Sequence, residues 1–148
     1  MFIELINITD LNDIENCGSV SLPIYYTHDD LRILLYSKYF VIYKAVIDNK
    51  LCGFLIGRID DKLIHIMSLA VYPKYRRLKV GSNLINKIKD IYNDKNITLN
   101  VQQTNKNAIS FYLKNNFVYI KEFINYYPNL ECKNAYQLCY LNKKINKK

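Results

Sequence analysis

The chain has 148 residues, of which 50% are hydrophobic and 23% charged, with a formal net charge of +8. That length suits one domain with its own core, and the ratio of apolar to charged residues excludes an intrinsically disordered chain. No apolar run approaches the ~20 residues of a membrane span, and Met1-Phe2-Ile3-Glu4-Leu5 lacks the basic segment and cleavage site of a secretory signal.

In chain order, residues 2–8 read as a strand, and Thr9 or Asp10 caps a helix that passes Leu11 and Ile14 before Gly18 and Ser19 break it. Leu22-Pro23-Ile24-Tyr25-Tyr26 is a loop of high apolar content. A second helix is predicted over 28–36, with Leu31, Leu34 and Leu35 on one face. Strands over 40–47, 51–59 and 63–71, joined by Asp48-Asn49-Lys50 and Asp60-Asp61, form an antiparallel meander. Val80, Leu84, Ile85, Ile88 and Ile91 line one face of an amphipathic helix over 80–91. A strand over 97–101 precedes a helix capped by Thr104-Asn105 and ended at Asn115-Asn116. The last strands, over 117–123 and 135–141, flank an excursion containing Tyr126-Tyr127-Pro128. This order, with one βαβ crossover, gives an α/β or α+β sheet with helices on both faces.

Residues 1–141 are expected as a single domain and 142–148 as a basic tail carrying Lys143, Lys144, Lys147 and Lys148. The positive charge points to polyanions: a nucleic-acid or ribosome surface, or an anionic cofactor beside a solvated lysine-rich face. The tail lysines favour the second, so sequence-specific nucleic-acid binding and a membrane partner are not expected. Cys17, Cys52, Cys132 and Cys139 lack C-x-x-C spacing and read as reduced thiols of a cytoplasmic protein.

Between Ile64 and Ser82 an apolar strand ends at Pro73, a loop carries Arg76, Arg77 and Lys79, and a helix opens at Val80-Gly81-Ser82. The first amides of a helix lack intrahelical partners, and its dipole favours an anion there. A phosphate-bearing cofactor is therefore expected rather than a metal.

Arg76-Arg77-Leu78-Lys79-Val80-Gly81 resembles the pyrophosphate loop R/Q-x-x-G-x-G/A of the GCN5-related N-acetyltransferases (GNAT). Asn105-Lys106-Asn107-Ala108-Ile109-Ser110-Phe111-Tyr112, running on to Phe117, is similar to the same family's N-x-x-A-x-x-F/L-Y-x-x-x-G-F signature. The resemblance implies a mixed, mostly antiparallel sheet of about seven strands with about four helices on both faces, and acetyl-CoA as cofactor. Leu22-Pro23-Ile24-x-Tyr26, Ile66-Met67-Ser68-Leu69, Tyr75-Arg76-Arg77-Leu78, Asn100-Val101-Gln102 and Asn125-Tyr126-Tyr127 resemble the branch that forms the catalytic subunit of the NatE complex. That branch acetylates protein N-termini that retain methionine, and it implies a peptide N-terminus as substrate, with a NatA-type auxiliary subunit and the ribosome as further partners.

On this resemblance Leu69, Ala70 and Val71 present main-chain groups at a bulge, and Arg76, Arg77, Leu78, Lys79, Val80, Gly81 and Ser82 hold the pyrophosphate. Asn105 serves the pantetheine arm or caps its helix, and Tyr112 faces the departing thiolate. Leu22, Pro23, Ile24, Tyr26 and Met67 form one wall for the substrate methionine, with Tyr126, Tyr127 and Leu130 opposite. Three positions depart from the pattern. Lys79 replaces a glycine, His65 stands where the family has a catalytic tyrosine, and Asn100 stands where it has a histidine. An amide cannot take up a proton, so no base role carries over to Asn100. The resemblance gives that role to His65, whose imidazole alternatively packs against the sheet.

An α-amine with pKa near 7.7–8.0 is already neutral in roughly a tenth to a sixth of molecules at pH 7, whereas a lysine is neutral about once in 2,500. A weak or water-mediated base therefore suffices for an N-terminus and not for lysine. Two other functions fit the same fold: acetylation of a small amine such as a polyamine or amino sugar, and an inactive cofactor-binding module docked on a larger acetyltransferase or ribosomal assembly.

Overall fold

The computed structural model describes residues 1–145. Its elements are β1 (Phe2–Leu5), α1 (Leu11–Ser21), α2 (His28–Leu35), β2 (Phe40–Ile47), β3 (Lys50–Ile59), β4 (Leu63–Val71), α3 (Val80–Ile91), β5 (Asn96–Gln102), α4 (Lys106–Lys114), β6 (Val118–Phe123) and β7 (Ala135–Tyr140). Short 3-10 turns cover Ile8–Asp10 and Pro73–Tyr75. The strands form one sheet in the order β1-β2-β3-β4-β5-β7-β6, with β4 and β5 parallel and the other neighbours antiparallel. This is the mixed, mostly antiparallel sheet expected from the sequence.

Strand alternation sends side chains to two helix layers. Ile42, Phe54, Ile56 and Ala70 pack against Leu11, Ile14 and Cys17 of α1 and Leu31 of α2. Tyr43, Leu55, Ile64, Ile66, Ile97 and Leu99 pack against Val80, Leu84, Ile85 and Ile88 of α3 and Tyr112 of α4. Both faces of β3 are covered, which accounts for its unbroken burial from Leu51 to Gly57.

Three local expectations change. Helix α1 runs through Gly18 and Ser19 to Ser21. Gly18 is buried because a Cβ there would lie 3.0 Å from Tyr25 Cβ, so the residue admits the following loop instead of breaking the helix. Asp10 does precede α1 as its N-cap but makes no side-chain cap bond. The capping box belongs to the Ile8–Asp10 turn before it, where Asn7 accepts from Thr9 N and Asp10 accepts from Asn7 N at 2.9 Å. That capping box takes over from β1 after Leu5, ending the strand sooner than the apolar run suggests. Of the expected tail, Asn142 is buried and its amide donates to Asn96 Oδ1 at 2.8 Å, and 143–145 form a turn. Lys147 and Lys148 lie outside the described residues.

The sheet opens at its centre. The β4–β5 ladder has four pairs, from Leu63–Asn96 to Ile66–Leu99. Beyond them β4 stays with β3 as far as Val71, and β5 stays with β7 as far as Gln102. The register of β3 against β4 shifts at the same level, because Ile56 pairs with Ser68 and Gly57 with Ile66, leaving Met67 as the extra residue. A bulge bends and twists its strand, and this one turns β4 away from β5.

Candidate active site

A cavity of about 630 Å³ occupies the fork between β4 and β5, within the range of small-molecule sites. The α1–α2 loop supplies Leu22, Pro23, Ile24 and Tyr26; β4 supplies Met67 and Leu69; β5 supplies Asn100. Asn105 and Tyr112 come from the start and body of α4, and Tyr126, Tyr127 and Leu130 from the β6–β7 loop. All eight residues expected against the substrate therefore share one cavity. His65, Ala70, Val71 and residues 76–82 do not line it.

Sequence reasoning missed Tyr25, Ile33 and Leu99, which line the cavity too, as do Val101 and Gln102 of the Asn100-Val101-Gln102 segment that carries the resemblance. Leu34, expected on the apolar face of α2, also faces it. The apolar 22–26 run already pointed to Tyr25. Nothing in the sequence marks where β5 parts from β4.

The lining is electrostatically sparse. In a chain of net charge +8 it holds no Lys, Arg or His side chain among the described residues and one carboxylate, Asp30. One oxygen of Asp30 accepts the Thr27 amide at 3.1 Å in the α2 capping box.

Asn100 Oδ1 is buried with no hydrogen-bond partner. An unsatisfied buried acceptor carries a desolvation penalty, so one facing a cavity marks a place for a donor. Tyr112 is 9% exposed, with its ring edge-on to Phe111 at 5.1 Å and Phe117 at 5.6 Å. Burial, and then the neighbouring Tyr127, push its phenol far above the ordinary range, so it stays protonated at any physiological pH. Tyr127 is pushed up to about 12, again chiefly by burial, and stands edge-on to Tyr126 at 4.8 Å.

His65 sits beside the fork. It pairs in register with Thr98 of β5, and its Nδ1 lies 2.7 Å from Thr98 Oγ1. Burial lowers its pKa, the positive charge of Arg58 lowers it further, and Asp60 opposes both. The imidazole is therefore neutral at pH 7. Asn100 follows Thr98 by two residues, on the same face of β5.

The main chain of β4 is exposed where β5 has left. Tyr72 N donates to Cys52 O at 2.9 Å, which fixes the alternation of the β3–β4 pair. Leu69 and Val71 consequently turn their amides and carbonyls away from β3 and toward the fork. The Val71 carbonyl accepts from Arg76 Nε at 3.2 Å and Ser21 Oγ at 3.3 Å.

Past β4 the Pro73–Tyr75 turn leads to Lys79, in the left-handed region at φ 59°, ψ 26°. Lys79 is the N-cap of α3 and makes no side-chain cap bond; the first helical bond runs from Asn83 N to Lys79 O at 3.0 Å. The amides of Val80, Gly81 and Ser82 thus point out of the helix end. Arg77, Leu78 and Lys79 are exposed around it. Gly81 lets α4 come close, since a Cβ there would lie 3.0 Å from Phe111 Cζ.

Residues 8–117 match the model of the Acetyltransferase (GNAT) family. The chain belongs to that family. An N-alpha-acetyltransferase of Sulfolobus acidocaldarius is 29% identical over 145 residues, covering 87% of this chain and 86% of the relative. N-alpha-acetyltransferase 50 of Danio rerio is 35% identical over 94 residues, covering 58% and 56%. The structure of Arabidopsis thaliana Naa50 in complex with the bisubstrate analogue CoA-Ac-MVNAL superposes with a TM-score of 0.80 at 25% identity, covering 93% of this chain and 96% of that one.

Proposed function

We propose that the protein is an N-alpha-acetyltransferase that moves the acetyl group of acetyl-CoA to the α-amine of peptides beginning with methionine. The observation that carries this is the fork cavity, with the apolar 22–26 loop facing Tyr126, Tyr127 and Leu130 across an opened pair of strands. The Naa50 structure with a peptide-linked coenzyme A analogue adds support.

The residues present fit coenzyme A. Val80, Gly81 and Ser82 offer unpaired amides at an uncapped helix end for a diphosphate, with Arg77 and Lys79 beside them. Arg76 braces this loop by holding the Val71 carbonyl. The fork edge offers the Leu69 main chain and the Val71 amide to the pantetheine amides, and Asn105 lines the same cavity as Leu69. When bound, acetyl-CoA supplies an acyl group activated as a thioester.

Leu22, Pro23, Ile24, Tyr26 and Met67 receive the methionine side chain and exclude water around it. Asn100 Oδ1 accepts a hydrogen from the incoming nitrogen or from a water beside it. His65, neutral at pH 7, takes the amine proton through water. That is sufficient because an N-terminal amine is already partly neutral. The Leu69 amide serves the carbonyl oxygen as it gains charge. Tyr112, on the lining of the same cavity, donates a hydrogen bond to the departing sulfur, and its raised pKa makes full proton release unfavourable.

A polyamine is disfavoured because Asp30, the only carboxylate of the lining among the described residues, is engaged in a helix cap. A cytoplasmic site of action, an auxiliary subunit and ribosome association remain part of the proposal. Among the described residues no helix is long and apolar enough to cross a membrane.

Thiol release measured with acetyl-CoA and a Met-Leu peptide tests the assignment. Turnover with that peptide is expected to exceed turnover with spermidine or an N-blocked lysine peptide. Tight coenzyme A binding without turnover of any amine would point to the inactive module instead.

A further inference from the structure

A second hollow, of about 1160 Å³, adjoins the first and shares Pro23, Gln102 and Leu130 with it. It runs beneath the β6–β7 loop toward the start of α4. Two features mark it as a binding surface. Gln103, on its wall, has a buried side-chain Nε2 with no hydrogen-bond partner. The neighbouring amide, Gln102 Nε2, is by contrast satisfied by Cys132 O at 2.9 Å. A buried amide donor left unpaired destabilises the fold slightly and is matched by an acceptor brought from outside. The rim carries Lys106 and Lys133 against a single Glu131, all exposed, so its local charge is positive.

We propose that this hollow is the exit path of the polypeptide substrate, binding its third and later residues with Gln103 donating to a main-chain carbonyl. The proposal rests on the N-terminal acetyltransferase activity argued above. A chain whose first residue fills the fork has to leave it, and the shared Pro23–Leu130 boundary joins the fork to a polar, open channel. The orphan donor is suited to a peptide carbonyl, which every sequence supplies. The positive rim favours acidic side chains downstream of the second residue, an effect weakened by salt because both lysines are in solvent.

The test compares Met-Leu-Gly amide with seven-residue peptides that continue it through two glutamates or two lysines. The glutamate peptide is expected to have a kcat/KM about five-fold above the short amide, mainly through KM, as one or two added hydrogen bonds allow. The lysine peptide should fall below the glutamate peptide at low salt and approach it at high salt. Gln103→Ala should abolish the advantage of length and leave the short amide unaffected. Its thermal midpoint should hold or rise, whereas a structural glutamine would lower it. Equal kcat/KM for short and long peptides would overturn the exit path while leaving acetylation intact. If no peptide is acetylated, the activity assignment fails first. The channel is then judged by anisotropy of the fluorescein-labelled glutamate peptide with coenzyme A present, where equal affinity for the wild-type chain and Gln103→Ala overturns it.

Discussion

Ile66 of β4 and Leu99 of β5 are the last partners of the parallel ladder, and both border the cavity that begins where their pairing stops. The residues just beyond them diverge: Met67 bulges out of the β3–β4 register, while Asn100 continues in register with Gln137 of β7. One missing ladder step thus exposes the main chain of β4 and leaves the Asn100 acceptor without a neighbour.

Asn100→Leu separates function from stability. Replacing an unsatisfied acceptor with an apolar group of similar size is expected to leave stability unchanged or raise it by about 1 kcal/mol, because a desolvation penalty is removed. The KM for a methionine peptide should rise about ten-fold as a hydrogen bond to the amine is lost. Urea unfolding and peptide kinetics on one preparation read both effects; a stability loss with unchanged KM would assign Asn100 to the fold.

The pH behaviour of His65 follows from its lowered pKa. Below about pH 6.5 the unfolded chain binds a proton that the folded chain resists, so the stability tied to this residue is complete above that pH. It is lost progressively as the pH falls through the folded value. The acid limb of kcat/KM should likewise lie below 6.5, and proton NMR titration of the imidazole should give the same midpoint. His65→Gln is expected to lower kcat about ten-fold, toward the small end of general-base effects, because the α-amine is partly neutral already. An unchanged acid limb in that variant would remove the base role.

Lys79→Gly relieves a left-handed residue. An L side chain in that region costs about 1 kcal/mol, which for a chain of this size corresponds to a rise of about 3 °C in thermal midpoint. Coenzyme A affinity by calorimetry should stay within a few-fold, because the amides at the helix end are main-chain groups. A large loss of affinity would instead give the lysine ammonium a direct role on the phosphates.

Tyr112→Phe keeps the edge-on packing against Phe111 and Phe117 and removes only the hydroxyl. The thermal midpoint should change little, and kcat should fall about ten-fold if the hydroxyl serves a developing negative charge. Peptide KM should be unchanged. Because the phenol is pushed so far up, no basic limb below pH 10 should disappear in the variant.

Much of the fold was legible because single elements carry strong signals. The Val80–Ile91 stripe gave α3 to the residue, and unbroken β-prone runs gave β2 and β4. Gly18 misled because a glycine that grants close packing to Tyr25 looks the same in sequence as one that ends a helix. The bulge was expected around 69–71 and lies slightly earlier, at Met67, since its position depends on pairing with β3. Asn105, equally readable as cap or ligand, does cap α4 by accepting from Ala108 N at 3.2 Å. The bond from Arg76 to Val71 and the unpaired amide of Gln103 arise from tertiary contacts and leave no mark on residue order.

The brevity of the β4–β5 ladder also shapes how the molecule breathes. Among the described residues, four residue pairs stitch the β1–β4 portion to the β5–β7 portion across the sheet. A seam so short is the natural site of local opening, and amides along it exchange with deuterium sooner than those deeper in either portion. Asn96 N donates to Lys62 O, so strand alternation turns the Thr98 amide toward β4. Anything that bridges the fork clamps both portions at once, so protection at Thr98 becomes a gauge of occupancy that needs no turnover.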